Sequence, residues 1–188
     1  LTIERCRVGQ EEVAYEIDGH KLYVFLPKDK QNLPVGSLLD FSVRYHVENP
    51  RKGFYFTGPT AQYPQKEYQS WSQGQDEDSR YWYPTFDYPN QKATVEVIAT
   101  VPSGFFALSN GKLLQQEEKS NWVRYHYQLA QPIVTYLLTL VVGRFDQWSA
   151  EGLGGVQLQY FVAPNRATDG ERVYENTAKM LEVFSQKI

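Results

Sequence analysis

The chain has 188 residues, a mass of 21.8 kDa, a formal net charge of −3 and 41% hydrophobic residues. This length fits one large domain, or one domain plus a fragment, and the hydrophobic share excludes wholesale disorder. The negative charge, without any Lys/Arg cluster, gives no electrostatic basis for nucleic-acid binding, so no nucleic-acid partner is expected.

The chain also excludes two structural classes. Its lone cysteine, Cys6, cannot form an internal disulfide, which rules out a disulfide-stapled scaffold. The longest apolar run, residues 136–142, is far shorter than the roughly 20 residues that a membrane-spanning helix needs. We therefore expect a soluble protein without a membrane span, and a packed structural role for Cys6.

Alternation of apolar and polar residues dominates the chain and predicts antiparallel strands. The pattern covers, in chain order, residues 40–48, 93–101, 123–129 and 156–162. Pro, Gly and Asn separate these runs at hairpin-like intervals. We predict an all-β fold, an antiparallel β-sandwich over residues 1–164. Residues 135–142 are apolar on both sides and are expected to form a central strand covered on both faces.

The periodicity changes near Pro164. From Asp169 onward, apolar residues recur at spacings of three and four, which predicts one C-terminal helix of about 18 residues with Thr168 or Asp169 as its N-cap. We expect residues 165–188 to start a second domain, and the apolar stripe of the helix to need a partner. The chain opens in a strand pattern and stops inside a helix pattern, so we expect a truncated protein that lacks its first strands.

The segment 71–89 is the most distinctive part of the chain. It contains Gln73 and Gln75, the acidic turn 76–78, Arg80, an aromatic run, and Asp87 between two prolines. This order resembles the signature Thr-Gln-x-Glu…Ala-Arg…Phe-Pro-Cys-x-Asp-x-Pro of the zinc aminopeptidases related to aminopeptidase N and leukotriene hydrolase.

Two further segments support this resemblance. Residues 132–145 are similar to the family's Pro-x-x-Thr-Tyr-Leu-Leu-Ala-Phe-Val-Val-Gly-x-Phe strand, and residues 107–110 match its Ala-Leu-Ser-Asn. The resemblance implies a saddle-like N-terminal β domain that forms one wall of an active-site cleft. It also implies that the C-terminal helix begins a thermolysin-like catalytic domain.

The zinc site of that family is not in this sequence. The family binds zinc through His-Glu-x-x-His on a helix, in which the two histidines share one face. This chain has only His20, His46 and His126, none within five residues of another, and it lacks the family's Gly-x-Met-Glu-Asn motif. The resemblance thus implies zinc as a cofactor of the full-length enzyme, with ligands and catalytic residues outside this chain, and an inactive fragment.

The resemblance assigns substrate binding to Gln73 and Gln75. The matching family residues line the pocket for the first side chain of the substrate and reach its free α-amine, a role that an amide oxygen suits as an acceptor. Many family members carry Glu where this chain has Gln75. Without the resemblance, the pattern alone favours two polar residues on the wet face of an edge strand. Gly74 between them is expected to allow close approach of a neighbouring backbone.

The remaining loop residues are expected to be structural. Arg80 and Asp87 should form an ion pair or a backbone-bonding pair that fixes the loop, above packed aromatic side chains from Tyr81 to Phe86. The acidic turn 76–78 is expected to be a solvated turn without a cation.

The partners implied by the resemblance are peptide N-termini and the protein's own catalytic domain. Exposed apolar residues of the C-terminal helix predict self-association as well. A non-catalytic scaffold or interaction domain of the same architecture is an alternative, and a carbohydrate-binding β-sandwich is a weaker one because the aromatic residues cluster in a loop.

Overall fold

Antiparallel strands make up most of the regular structure, and the computed structural model describes all of residues 1–188. The prediction of an all-β fold is therefore confirmed. The strands are β1 (Thr2–Val8), β2 (Glu11–Val13), β3 (Tyr15–Asp18), β4 (Lys21–Val24), β5 (Phe41–His46), β6 (Gly53–Thr57), β7 (Gln69–Gln73), β8 (Lys92–Pro102), β9 (Phe106–Ser109), β10 (Lys112–Glu118), β11 (Trp122–Val134), β12 (Leu140–Gly143), β13 (Asp146–Glu151) and β14 (Gln157–Val162).

The core lies between two sheets. One sheet has the order β10-β11-β8, and the other has the order β6-β7-β12-β9. The predicted alternation is confirmed here, because the inward residues of β8 and β11 pair across the strands, as Tyr125 does with Ala99. The buried members of this core are Ala99, Val101, Ala107, Val123, Tyr125 and Tyr127. Apolar side chains interleaved from two facing sheets supply the main driving force for such a fold.

Strand β12 is central in the four-stranded sheet, where it pairs with β7 on one side and β9 on the other. The prediction of a strand over residues 135–142 is wrong in its first half, because the strand begins only at Leu140 and residues 135–137 form a 3₁₀ turn. The carbonyl of Thr135 accepts hydrogen bonds from Ser79 and Tyr83 instead of joining a strand ladder. The apolar composition of the segment gave no sign that its backbone carbonyl would bond to side chains.

The N-terminal strands form two smaller sheets. One has the order β2-β1-β5, and β3 pairs with β4 in a separate hairpin. Cys6 lies opposite Val43 in this pairing and is completely buried. Burial raises the pKa of the Cys6 thiol, which disfavours the reactive thiolate. The expected structural role of Cys6 is thereby supported.

The C-terminal segment forms a hairpin followed by helices. Strands β13 and β14 pair around a turn in which Gly154 and Gly155 both have positive φ, as expected for a glycine-rich hairpin. The expected single helix is two helices, α1 (Ala167–Tyr174) and α2 (Thr177–Lys187). Between them the hydroxyl of Thr177 donates to the Tyr174 carbonyl at 2.8 Å, a local bond that competes with helix continuation.

The helix start also differs from the prediction. The N-cap of α1 is Arg166, not Thr168 or Asp169, and it makes no side-chain capping bond. Helix α1 packs on the last hairpin through Gly170, where an added Cβ would lie 2.5 Å from the Trp148 ring. No helix is long and apolar enough to cross a membrane.

Candidate functional site

Gln73 and Gln75 lie at one end of the four-stranded sheet. Gln73 is the last residue of β7 and pairs with Gly53 of β6. Both glutamines are exposed, whereas Gly74 between them is buried. The strand ends at Gln73, and Gln75 is the first residue of the turn that follows Gly74. Two exposed amide side chains are thus two residues apart where the strand passes into the turn.

Gly74 is required because another part of the backbone occupies its inner side. An added Cβ would lie 2.5 Å from Ser79 Oγ and 2.9 Å from the Cα of Tyr136. Both distances are below normal van der Waals contact, so a larger residue would push the strand end away from residues 135–136. The predicted close approach at Gly74 is confirmed.

Residues 135–140, here called the supporting segment, contact the end of β7 and the turn after it. Ser72 Oγ donates to the Leu138 carbonyl at 3.1 Å and accepts from the Leu140 amide at 2.9 Å. Ser79 Oγ, with only 1% of its residue surface exposed, donates to the Thr135 carbonyl at 3.2 Å. Hydroxyl groups on both sides of the glutamine pair thus bind one segment, which limits the movement of Gln73 and Gln75.

The loop after the glutamines is fixed by a buried carboxylate. Asp87 is 3% exposed, and its Oδ2 accepts from the Arg80 amide at 3.0 Å and from Arg80 Nε at 3.3 Å. Its Oδ1 accepts from Thr135 Oγ1 at 2.7 Å. Burial acts to lower the pKa of Arg80, but the hydrogen bond and the charge of Asp87 outweigh it and raise that pKa. The expected structural pair of Arg80 and Asp87 is confirmed.

The acidic turn makes two ion pairs. Glu77 Oε2 forms an ion pair with Arg80 at 2.7 Å, and Asp78 Oδ1 forms one with Lys52 Nζ at 3.4 Å. Basic side chains from outside the turn reach these two residues, which remain partly exposed to solvent. Asp76 is exposed and directly follows Gln75.

The aromatic residues of the loop divide into packed and exposed members. Trp82 packs between Phe54 and Tyr83, with ring centroids 5.2 Å and 4.6 Å away. Tyr83 donates to the Thr135 carbonyl at 3.4 Å, and burial raises the pKa of its hydroxyl. Phe86 is 66% exposed, so the prediction that it packs beneath the loop is wrong. It contacts Tyr88 at the surface, with centroids 5.0 Å apart.

Sequence reasoning missed the three hydroxyl residues that organise the site, Ser72, Ser79 and Thr135. Thr135 lies within a segment that resembles the family strand, and this could have drawn attention to it. No comparable signal marks the serines, because single hydroxyl residues are common on strands and in turns.

Two of the three histidines of this chain pair with single carboxylates. No group of three or more His, Cys, Asp or Glu side chains converges as a metal site would require. His46 contacts Glu4 at 2.9 Å, and His126 contacts Glu96, both on exposed strand faces.

This chain is similar in sequence to a known family and to several known proteins. The peptidase M1 N-terminal domain family matches residues 5–137. The chain is 30% identical over 110 residues to glutamyl aminopeptidase of Homo sapiens, covering 58% of this chain and 12% of that protein. It is 23% identical over 177 residues to puromycin-sensitive aminopeptidase of Caenorhabditis elegans, covering 93% of this chain and 18% of that protein.

Solved structures show the same fold. An M1 zinc metallopeptidase of Deinococcus radiodurans superposes with a TM-score of 0.69 at 22% identity, covering 98% of this chain and 42% of that one. A mutant form bound to a Tyr-Ser-Ala substrate gives a TM-score of 0.65 at 20% identity, covering 88% of this chain and 40% of that one. The chain thus spans less than half the length of these relatives. Because the family model covers most of the chain, the protein belongs to the peptidase M1 N-terminal domain family.

Proposed function

We propose that this chain is the N-terminal domain of a zinc-dependent aminopeptidase, and that it forms one wall of the substrate cleft. Its relatives are aminopeptidases, and its structural neighbours are zinc metallopeptidases. In this proposal the zinc ligands and the catalytic residues belong to a part of the enzyme outside residues 1–188. The chain alone is then inactive, and its residues act by binding and orienting the substrate.

Gln73 and Gln75 contact the N-terminal end of the peptide in this proposal. A glutamine oxygen accepts hydrogen bonds from an α-ammonium group, and the glutamine NH₂ donates to a peptide carbonyl. Two exposed glutamines this close in sequence offer acceptors and donors for both groups of one N-terminal residue. The pair provides these contacts without ionisable groups of its own.

The observation that carries the proposal is the combination of exposure and support at the strand end. Both amide side chains are open to solvent, while Gly74 between them is buried against the supporting segment. An exposed polar pair on a mobile loop loses conformational entropy when it binds, whereas a pre-positioned pair loses less. Ser72 and Ser79 fix the strand end through their hydroxyl hydrogen bonds, which a strand edge that only faces solvent does not need.

The neutral side chain at position 75 sets an expectation for affinity. A carboxylate makes a charge-assisted hydrogen bond to an ammonium, and such a bond is roughly twice as strong as a neutral one. With Gln75, the enzyme should bind the α-amine more weakly than a relative that has Glu there. Gln75→Glu is therefore expected to lower KM for substrates with a free α-amine.

The test uses the longer protein that contains this domain, with alanyl and arginyl chromogenic substrates. Gln73→Ala and Gln75→Ala should each raise KM by about three- to tenfold, the value of one hydrogen bond, with unchanged zinc content. Gln116→Ala is the matched control, because Gln116 is also an exposed strand glutamine but lies on β10 of the other sheet. Unchanged kinetics in both site variants would retire the substrate role.

A parent protein without zinc and without peptidase activity would instead favour a non-catalytic interaction domain. That result would leave the family assignment intact and overturn the proposed activity.

A further inference from the structure

Thr135 is the residue on which the glutamine-bearing loop converges. Its carbonyl accepts from Ser79 Oγ at 3.2 Å and from the Tyr83 hydroxyl at 3.4 Å. Its own hydroxyl donates to Asp87 Oδ1 at 2.7 Å. These partners lie 56, 52 and 48 residues away in sequence, and they come from three separate points of the loop. One residue of the supporting segment therefore bonds to three points of the loop.

The next residue, Tyr136, supports the glutamine pair directly. Its Cα and its carbonyl oxygen would lie 2.9 Å and 3.1 Å from a Cβ placed on Gly74. A displacement of Thr135 moves this backbone, and Gly74 must then follow or lose contact. Because Gln73 and Gln75 flank Gly74, a shift of Thr135 would reach the backbone of both glutamines.

The Thr135 hydroxyl links Asp87 to the supporting segment, but Asp87 does not depend on this bond to stay in place. Asp87 keeps two contacts to Arg80, through the Arg80 amide and Nε, when the threonine hydroxyl is removed. The loop then stays closed on itself, but its shortest bond to the supporting segment is lost. Loss of this bond should therefore loosen the placement of the loop more than its internal structure.

We propose that Thr135 is a positioning residue for substrate binding, which acts through Asp87 and Tyr136 to hold Gln73 and Gln75 in register with the peptide N-terminus. This inference rests on the proposed function, since it needs a substrate that the two glutamines bind. Thr135 is half-buried, and the proposal assigns it no contact of its own with the peptide.

The test compares Thr135→Val, which keeps the shape and removes the hydroxyl, with Thr135→Ser, which keeps the hydroxyl. In the longer protein, Thr135→Val should raise KM for an alanyl chromogenic substrate by about tenfold, because small misplacements of binding groups are costly. The value of kcat should change by less than about twofold, and zinc content should not change. Thr135→Ser should restore KM to nearly the wild-type value.

Tyr127→Phe is the matched control. It also removes one buried hydroxyl, which donates to the Ala107 carbonyl at 3.0 Å, but this bond lies in the sandwich core. It should lower the melting temperature and leave KM unchanged. An equal rise of KM in Tyr127→Phe, or an unchanged KM in Thr135→Val, would overturn the inference in favour of a purely structural role.

A second variant and the activity of the parent protein separate failure of this inference from failure of the proposed function. If Thr135→Val does not fold, Ser79→Ala removes another bond to Thr135 with little change in volume, and its KM should also rise; an unchanged KM overturns the inference. An inactive wild-type parent contradicts the proposed function and this inference together. An active parent that responds to Gln75→Ala but not to Thr135→Val overturns this inference alone.

Discussion

Arg80 contacts Asp87 through three separate hydrogen bonds. Its amide and Nε donate to the carboxylate at 3.0 Å and 3.3 Å, and Nη2 donates to the Asp87 carbonyl at 2.9 Å. The two residues are seven apart in sequence, so their hydrogen bonds close the loop between them. The buried charge of Asp87 is thereby compensated at the base of the loop that carries the aromatic residues.

Removing this carboxylate should destabilise the chain strongly. Asp87→Ala leaves Arg80 without its buried partner and Thr135 Oγ1 without its acceptor, so we expect a loss of about 3 kcal/mol in the free energy of unfolding. Urea unfolding followed by tryptophan fluorescence measures this. Glu77→Gln is the control, because Glu77 is the more exposed partner of Arg80 and its removal should cost about 1 kcal/mol or less. Equal losses in the two variants would contradict the central role of Asp87.

Gly74→Ala should also be destabilising. The new methyl group would lie 2.5 Å from Ser79 Oγ and 2.9 Å from the Cα of Tyr136, and the backbone atom cannot move without shifting the supporting segment. Overpacking of this kind costs about 1–3 kcal/mol. Gly152→Ala serves as comparison, since its Cβ would approach no atom closer than 3.4 Å. A loss no greater than that of Gly152→Ala would show that the close approach is absent in solution.

Alkaline pH should weaken the fold through Tyr127. Burial raises the pKa of Tyr127 to about 12, whereas an unfolded tyrosine titrates near pH ~10. Between these values the folded chain retains a proton that the unfolded chain has lost. Stability is therefore complete below about pH 10 and falls as pH rises towards 12, by at most about 1.4 kcal/mol per pH unit.

Tyr127→Phe tests this pH dependence. The variant loses its bond to the Ala107 carbonyl and should be about 1 kcal/mol less stable at pH 8. Its stability should then fall less steeply than that of the wild type above pH 10. Parallel pH profiles for the two proteins would show that Tyr127 does not contribute.

The exposed apolar side chains of α1 and α2 should promote self-association of this chain. Val173, Met180 and Phe184 are 67%, 56% and 60% exposed, and apolar groups of this size seldom face water together without a partner. Sedimentation velocity should show an average mass that rises with concentration. Met180→Lys combined with Phe184→Glu should abolish the rise, and a wild-type chain that stays monomeric at high concentration would contradict the prediction.

The sequence predicted those parts of the fold that depend on local periodicity. Alternation located the inward faces of β8 and β11, with Ala99, Val101, Val123, Tyr125 and Tyr127 all buried. It failed at residues 135–137, where long-range hydrogen bonds to Thr135 replace a strand ladder. It also failed at the helix, where the Thr177 hydroxyl bonds to the chain before it. Both failures involve side-chain hydrogen bonds, which leave no trace in an apolar pattern.

The candidate site was predictable in part. The motif drew attention to Gln73 and Gln75, and their exposure agrees with a contact role that remains a proposal. The supports at Ser72, Ser79 and Thr135 were not predictable, because they depend on distances between segments more than 50 residues apart in most cases. Such contacts follow from the topology of the sheet and cannot be read from one strand.

The most direct test of this account measures aminopeptidase activity and zinc content on this chain and on the longer protein that contains it. Alanyl and arginyl chromogenic substrates report the activity, and metal analysis reports the zinc. We expect zinc and activity in the longer protein and neither in residues 1–188 alone. A longer protein that binds no zinc and cleaves neither substrate would contradict it.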